Sequence, residues 1–199
     1  MEDTVRTIEK PSEGLHKDKG SRFISFAFPV NSEEEIREIV QSIRKDHHSA
    51  RHHCYAWRLG AEKLLFRAND DGEPSSTAGK PILGQIQSFD LTNILIVVVR
   101  YFGGTLLGVS GLINAYRNAA LDAITQAEIV EKMVEKCFLV EFDYSAMNEV
   151  MKIFKEEKLP QNEPQFDLRC KIRTQVRLSE SNRIEEQLLK IDNVKITSL

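Results

Sequence analysis

Between Phe23 and Val30 the apolar residues Ile24, Phe26, Phe28 and Val30 fall on alternate positions, the pattern of a half-buried strand. The period then changes, and Ile36, Ile39, Val40 and Ile43 form a helical stripe that runs to about Lys45. Ser32 with Glu35 three residues later fits a capping box, and the acidic run Glu33-Glu34-Glu35 suits the positive end of the helix dipole. Two strands are predicted over 53–59 and 63–68, joined in hairpin fashion through Gly60-Ala61-Glu62. A turn-rich loop over 69–81 leads into a short helix, starting at Thr77 or Pro81 and ending near Gln87. The β-branched run from Asn93 to Val99 reads as a central strand; a glycine-rich loop and an Ala- and Leu-rich helix over 110–127 follow it. Residues 1–20 are polar, hold Pro11, Gly14 and Gly20, and read as a loose lead-in.

Beyond residue 130 the rhythm shifts. A strand is predicted over 132–142 and a helix over 145–157, with Met147, Val150, Met151 and Phe154 inward. Strands over 165–168 and 171–178, a helix over 184–191 and a last strand over 194–197 complete the order βαββαβ, that of a ferredoxin-like split unit. The expected organisation is α+β: a lead-in at 1–20, a first domain over 21–130 and a second over 131–199, with the boundary near 128–134.

Composition narrows the classes. The formal net charge is -3, and splitting the chain after Val130 gives 15 Lys and Arg against 17 Asp and Glu, then 12 against 13. Neither part has a global basic field, so nucleic-acid binding must rest on local patches. Three dispersed cysteines, Cys54, Cys137 and Cys170, suit a reducing compartment. The longest apolar run, Ile94 to Val99, falls far short of the ~20 residues that span a bilayer. The N-terminus lacks a signal-peptide pattern. A cytoplasmic protein without membrane contact is expected.

Candidate chemistry concentrates in two segments. Asp70-Asp71-Gly72-Glu73 places three carboxylates within four residues, able to bind a cation, orient a basic partner, act as a base, or simply brace a solvated turn. Thr77 and Lys80 beside Gly79 offer an anion contact or a helix cap, without a Walker motif. Arg100-Tyr101 ends the central strand beside Gly103, Gly104 and Gly108, where a guanidinium and the N–H groups of a helix start favour an anion. The alternative pairs Arg100 with a carboxylate of the Asp70–Glu73 loop. Tyr116 and Arg117 on the next helix border the same crevice, or Tyr116 only packs. Four histidines at 47, 48, 52 and 53 match no metal-ligand spacing, and adjacent strand residues point apart, so no metal is expected; His52 is kept as a site residue. Cys54 near these histidines is read as a buried strand residue rather than a nucleophile. With no nucleophile elbow or dinucleotide fingerprint, neither catalysis nor a cofactor is expected.

The segments Lys19-Gly-Ser-Arg-Phe23, His52-His-Cys-Tyr-Ala56, Asp70-Asp-Gly-Glu-Pro-Ser-Ser-Thr-Ala-Gly-Lys-Pro81 and Val99-Arg-Tyr-Phe-Gly-Gly-Thr-Leu-Leu-Gly108, continued through Gly111-Leu112 and Ala115-Tyr116, together resemble the YigZ/IMPACT family over residues 15–127. The second half resembles the accessory C-terminal domain of YigZ-type members in layout. The resemblance implies a ribosomal-protein-type first domain, like the fourth domain of elongation factor G, and a ferredoxin-like second domain. It further implies contact with the ribosome, structured RNA or a translation-associated protein, in a regulatory role. Relatives that restrain the general-control translation kinase carry an additional N-terminal domain; only a short polar segment precedes Phe23, so that mechanism is not expected. The alternatives are an enzyme or sensor for a small phosphorylated ligand, with Gly108-Val-Ser-Gly-Leu112 as its loop, and a protein-interaction module. The oligomeric state is not legible.

Overall fold

β-branched residues fill the central strand because both of its faces are covered. In the computed structural model, which describes residues 3–199, seven of the eight residues of this strand, Ile94–Tyr101, are buried. It is β6, flanked by β3 (Ser21–Pro29) and β4 (His52–Leu59); β2 (Ser12–Asp18) and β5 (Leu65–Asn69) form the edges. The five strands are antiparallel in the order β2-β3-β6-β4-β5. One face carries α1 (Glu33–Asp46), whose Ile36, Val40 and Ile43 meet Trp57, Leu95, Val97 and Val99. The other carries α2 (Gly79–Ser88) and α3 (Gly108–Gln126), packed on Phe23, Cys54, Ala56, Ile96 and Val98. Such two-sided cover produces a continuous apolar run instead of alternation. At α1 the Ser32 hydroxyl accepts the Glu35 N–H at 3.2 Å, while Glu35 reaches back to the N–H of Asn31 at 2.8 Å, one residue beyond the expected box.

The segment expected as a loose lead-in is structured over its described residues. It forms β1 (Thr4–Ile8), paired with β7 (Ile129–Met133), and β2, paired with β3. Apolar alternation is missing from β2 because it lies against α3 through small and polar groups. Ser12 Oγ donates to the Ala123 carbonyl at 2.8 Å, and the Leu15 N–H donates to Asp122 at 2.8 Å. A Cβ on Gly14 would stand 2.4 Å from the Ala123 nitrogen, so only glycine permits this approach.

The chain packs into two units, one of Val5–Lys132 and one of Met133–Leu199 with residues 3–4. The second contains β8 (Glu135–Asp143), α4 (Met147–Glu156), β9 (Asn162–Gln165), β10 (Arg169–Arg177), α5 (Leu178–Leu189) and β11 (Lys195–Ser198). Its sheet is antiparallel in the order β11-β8-β10-β9. Phe138, Val140, Phe142, Ile172 and Val176 of the sheet pack on Val150, Phe154, Ile184 and Leu188 of the helices. Three expectations shift. The predicted strand over 132–142 divides into β7 and β8 at Val134, whose N–H is bonded to the Asp3 carbonyl. β9 precedes the predicted 165–168, and Leu168 is 92% exposed. Helix α5 begins at Leu178, not Ile184, because the Asp3 carboxylate takes both the N–H (2.7 Å) and the hydroxyl (2.5 Å) of Ser179. A cap so distant in sequence leaves no local signal.

Replacing Gly14 with Ala is expected to cost about 1–3 kcal/mol, since the new methyl meets backbone that cannot yield. Urea unfolding measures it; a lead-in that packed on nothing would give no change.

Candidate functional site

The acidic loop after β5 turns sharply because Asp71 and Gly72 both take positive φ, 42° and 85°, conformations that Asp tolerates and Gly favours. Each of its carboxylates has a separate protein partner. Asp70 accepts the N–H groups of Ser76 (2.8 Å), Ala78 (3.0 Å) and Gly79 (2.8 Å), and so caps α2. Asp71 accepts from Arg44 at 2.6 Å and from the His53 N–H at 2.7 Å. Burial pushes the His53 imidazole below its usual range, which keeps it neutral near pH 7. Glu73 accepts from Arg100 Nη1 at 2.7 Å and from the Tyr116 hydroxyl at 2.8 Å. Behind them Cys54 Sγ contacts Tyr116 at 3.3 Å and the Asp70 carbonyl at 3.0 Å. Burial raises the Cys54 thiol and the Tyr116 phenol far above their ordinary values, so both stay protonated.

In front of Glu73 and Arg100 lies a cleft of about 520 Å³. His52, Glu73, Arg100 and Gly108 line it, four of the residues picked out by sequence. The rest of the wall is Arg51, Pro74, Phe102, Leu106, Leu107, Val109 and Leu112, of which the sequence pointed only to Val109 and Leu112, as part of the Gly108–Leu112 loop. Phe102 and Leu106 in the glycine loop and Val109 in the first turn of α3 are apolar yet 56%, 84% and 60% exposed, which the sequence alone does not show. Arg100 is only 7% exposed, with its guanidinium 5.5 Å from the Phe23 ring and 5.7 Å from the Phe102 ring. Its Nε has no hydrogen-bond partner among the described residues. Leu107, at the N-cap of α3, has no side-chain oxygen to satisfy the first N–H groups of that helix. The cleft therefore combines a partly unpaired buried guanidinium, an uncapped helix start and an apolar rim, a set suited to an anion with an apolar body.

The remaining picked residues stand elsewhere. Tyr101 is on the opposite face of the sheet from Arg100, with its hydroxyl 2.8 Å from His47 Nδ1. Thr77 is buried and donates to the Pro74 carbonyl at 2.6 Å. Lys80 and Arg117 are exposed on α2 and α3, outside the cleft wall. Tyr116 is fully buried behind Glu73. Gly103 packs on Gly20, where a Cβ would meet the Gly20 carbonyl carbon at 1.9 Å, and Gly104 takes φ 88° in open space. His52 lines the cleft with Nδ1 donating to the Asp71 carbonyl at 2.9 Å. No cluster of three His, Cys, Asp or Glu that could hold a metal occurs among the described residues.

Comparison with known proteins gives this arrangement a family. The model of the Impact N-terminal domain matches residues 19–124, a span that includes the acidic loop, Arg100 and the whole cleft. The chain belongs to the IMPACT family. The IMPACT family member YvyE of Bacillus subtilis is 33% identical over 175 residues, 88% of this chain and 81% of YvyE. The family member YigZ of Escherichia coli is 45% identical over 112 residues, 54% of each chain. A crystal structure of a hypothetical protein is 26% identical with a TM-score of 0.75, covering 100% of this chain and 98% of that one. The likeness to that structure therefore takes in both units.

Two outcomes test the site's construction. Glu73→Ala leaves the buried Arg100 charge unpaired and is expected to cost about 3–5 kcal/mol of stability in urea unfolding, with Glu73→Gln less damaging. The second concerns His53. Unfolded, it binds a proton near its ordinary value of 6.5, which the folded site resists. Stability should therefore fall as pH drops below that value, and His53→Gln should remove this part of the slope between pH 7.5 and 5.5.

Proposed function

We propose that the chain is a translation-associated regulatory module that acts by recognition, without catalysis, and holds an anionic group of its partner in the Arg100 cleft. One observation carries this reading: a guanidinium more than nine-tenths buried, bonded to Glu73 through Nη1, faces a cleft at an uncapped helix start with its Nε unpaired. The translational part rests on family membership and on the fold types it implies. The first unit is read as the ribosomal-protein-type fold. The second is read as ferredoxin-like, on the support of its βαββαβ order and its β11-β8-β10-β9 sheet. The partner is then the ribosome, structured RNA or a translation-associated protein, in the cytoplasm. Among the described residues no helix is long and apolar enough to cross a membrane.

Recognition is favoured over catalysis by the chemistry of the wall. Asp70, Asp71 and Glu73 are all committed to structural partners, and Cys54 sits behind Tyr116 as a protonated thiol. On β10 the cations Lys171 and Arg173 are paired with Glu141 (3.0 Å) and Glu163 (3.1 Å), so that strand adds no free basic patch at these two positions. A second reading, a sensor for a small phosphorylated ligand, is favoured by cleft size, since about 520 Å³ is within the small-molecule range.

Co-sedimentation with ribosomes at low salt tests the proposal. Leu106→Asp puts a negative charge at the mouth of the cleft on a residue 84% exposed, where folding is not at stake. It should reduce the bound fraction at least about threefold. Undiminished binding would remove the cleft from the recognition surface. A thermal shift with a nucleotide or sugar phosphate that Leu106→Asp abolishes would favour the sensor.

A further inference from the structure

We propose that the cleft captures the C-terminal carboxylate of a partner protein whose last residue is large and apolar. The inference rests on the recognition reading above and specifies its ligand.

The charge inside the cleft is small. Arg100 and Glu73 form a buried pair at 2.7 Å and nearly cancel at a distance. What remains is the start of α3, equivalent to about half a positive charge, with Arg51 and the His52 imidazole on the same wall. This field matches one negative charge. A nucleic-acid strand needs a succession of cations along its backbone and aromatic platforms for its bases. Phe102 is the one aromatic ring other than His52 on the cleft wall, and the Arg100 guanidinium already lies over it. The Glu73 carboxylate, also on the wall, opposes a phosphate dianion more than a carboxylate.

A terminal carboxylate meets these conditions. It is a planar monoanion with two oxygens, which suits a guanidinium edge and the N–H groups of a helix start. Capture of a C-terminal carboxylate by backbone N–H groups is a recurring mode of peptide recognition. The carbon surface beside it, from Pro74, Phe102, Leu106, Leu107, Val109 and Leu112, would receive an aliphatic or aromatic side chain. Such an occupant also accounts for the exposure of Phe102, Leu106 and Val109, three apolar side chains that neither core of their unit uses. The remaining peptide would leave through the open mouth.

The test is fluorescence anisotropy with an N-terminally labelled peptide, Ser-Gly-Ser-Gly-Ser-Leu, as the free acid and as the C-terminal amide. N-acetyl-leucine and a labelled single-stranded oligouridylate are the other arms. The free acid should bind, and amidation should weaken it about tenfold or more, the worth of a charge-assisted contact. Leu106→Asp should weaken it comparably while leaving the unfolding temperature unchanged. Arg100→Lys, which keeps a cation beside Glu73 but loses the planar fork, should also weaken it. Equal binding of acid and amide, or no binding of either at millimolar concentration, overturns the proposal. N-acetyl-leucine binding as tightly as the peptide overturns the protein source in favour of a small carboxylate. Oligouridylate binding that Leu106→Asp abolishes, without acid binding, overturns it in favour of RNA. Cleft-dependent ribosome binding with no response to the peptide would defeat this inference and leave the recognition reading standing; loss of both would defeat both.

Discussion

Glu73 Oε1 accepts from Arg100 Nη1 and from the Tyr116 hydroxyl while its side chain is 3% exposed, so one oxygen joins the acidic loop to the end of β6 and to α3. Burying that carboxylate alone would be prohibitive. With a guanidinium and a phenol as donors the cost is offset, and removing any member leaves the others with an unmet demand. The geometry of the cleft follows from this joint. Arg100 is held through Nη1 by Glu73 and lies 5.5 Å and 5.7 Å from the Phe23 and Phe102 rings, contacts that restrict where its remaining N–H groups point.

The neighbouring carboxylates perform parallel tasks. Asp70 ends the loop by capping α2, and Asp71 ties it to α1 through Arg44 and to β4 through the His53 backbone. Three acids in four residues thus hold five elements, α2, α1, β4, β6 and α3. This explains how a segment so rich in carboxylates lies beside a cleft suited to anions: its charge is met by local donors. The cleft itself offers a slight positive surplus and carbon surface, a combination suited to ligands with both a negative charge and an apolar body.

Much of the architecture was legible because it follows from periodicity. The stripe of α1 and the apolar run of β6 each reflect which faces are covered, whereas in β3 the alternating Ile24, Phe26 and Phe28 are only half-buried and the opposite face, with Phe23 and Ala27, is the fully buried one. β2 was illegible for a physical reason: it sets half-buried Ser12 and Gly14 against an Ala-rich helix, so the residues that pack are the ones that usually mark a loop. The start of α5 was hidden because its cap, Asp3, is supplied from far away in sequence. At the site, the pairing of Arg100 with the acidic loop was one of two readings the sequence left open; Arg100 Nη1 does bond to Glu73, and this leaves the anion reading of the cleft standing beside it. The apolar rim was illegible because Phe102, Leu106 and Val109 carry no polar or periodic mark in the sequence and their exposure is set only by the fold.

The glycines between β6 and α3 divide into two kinds. Gly103 has no room for a side chain because Gly20 lies against it, which anchors the loop to the turn between β2 and β3. Gly104 and Gly108 stand in open space and are required for their positive φ, 88° and 72°. Between these two bends the chain carries Thr105, Leu106 and Leu107, the last nearly buried and Leu106 projecting at the cleft mouth. The glycines thus shape a short arch that carries Leu106 to the cleft mouth and ends at the N–H groups of the α3 start. If selectivity resides at the cleft mouth, changes at 106 and 109 should alter which ligands are accepted, whereas changes at Gly103 should act through stability. That separates the part of the motif that builds the site from the part that reads its occupant.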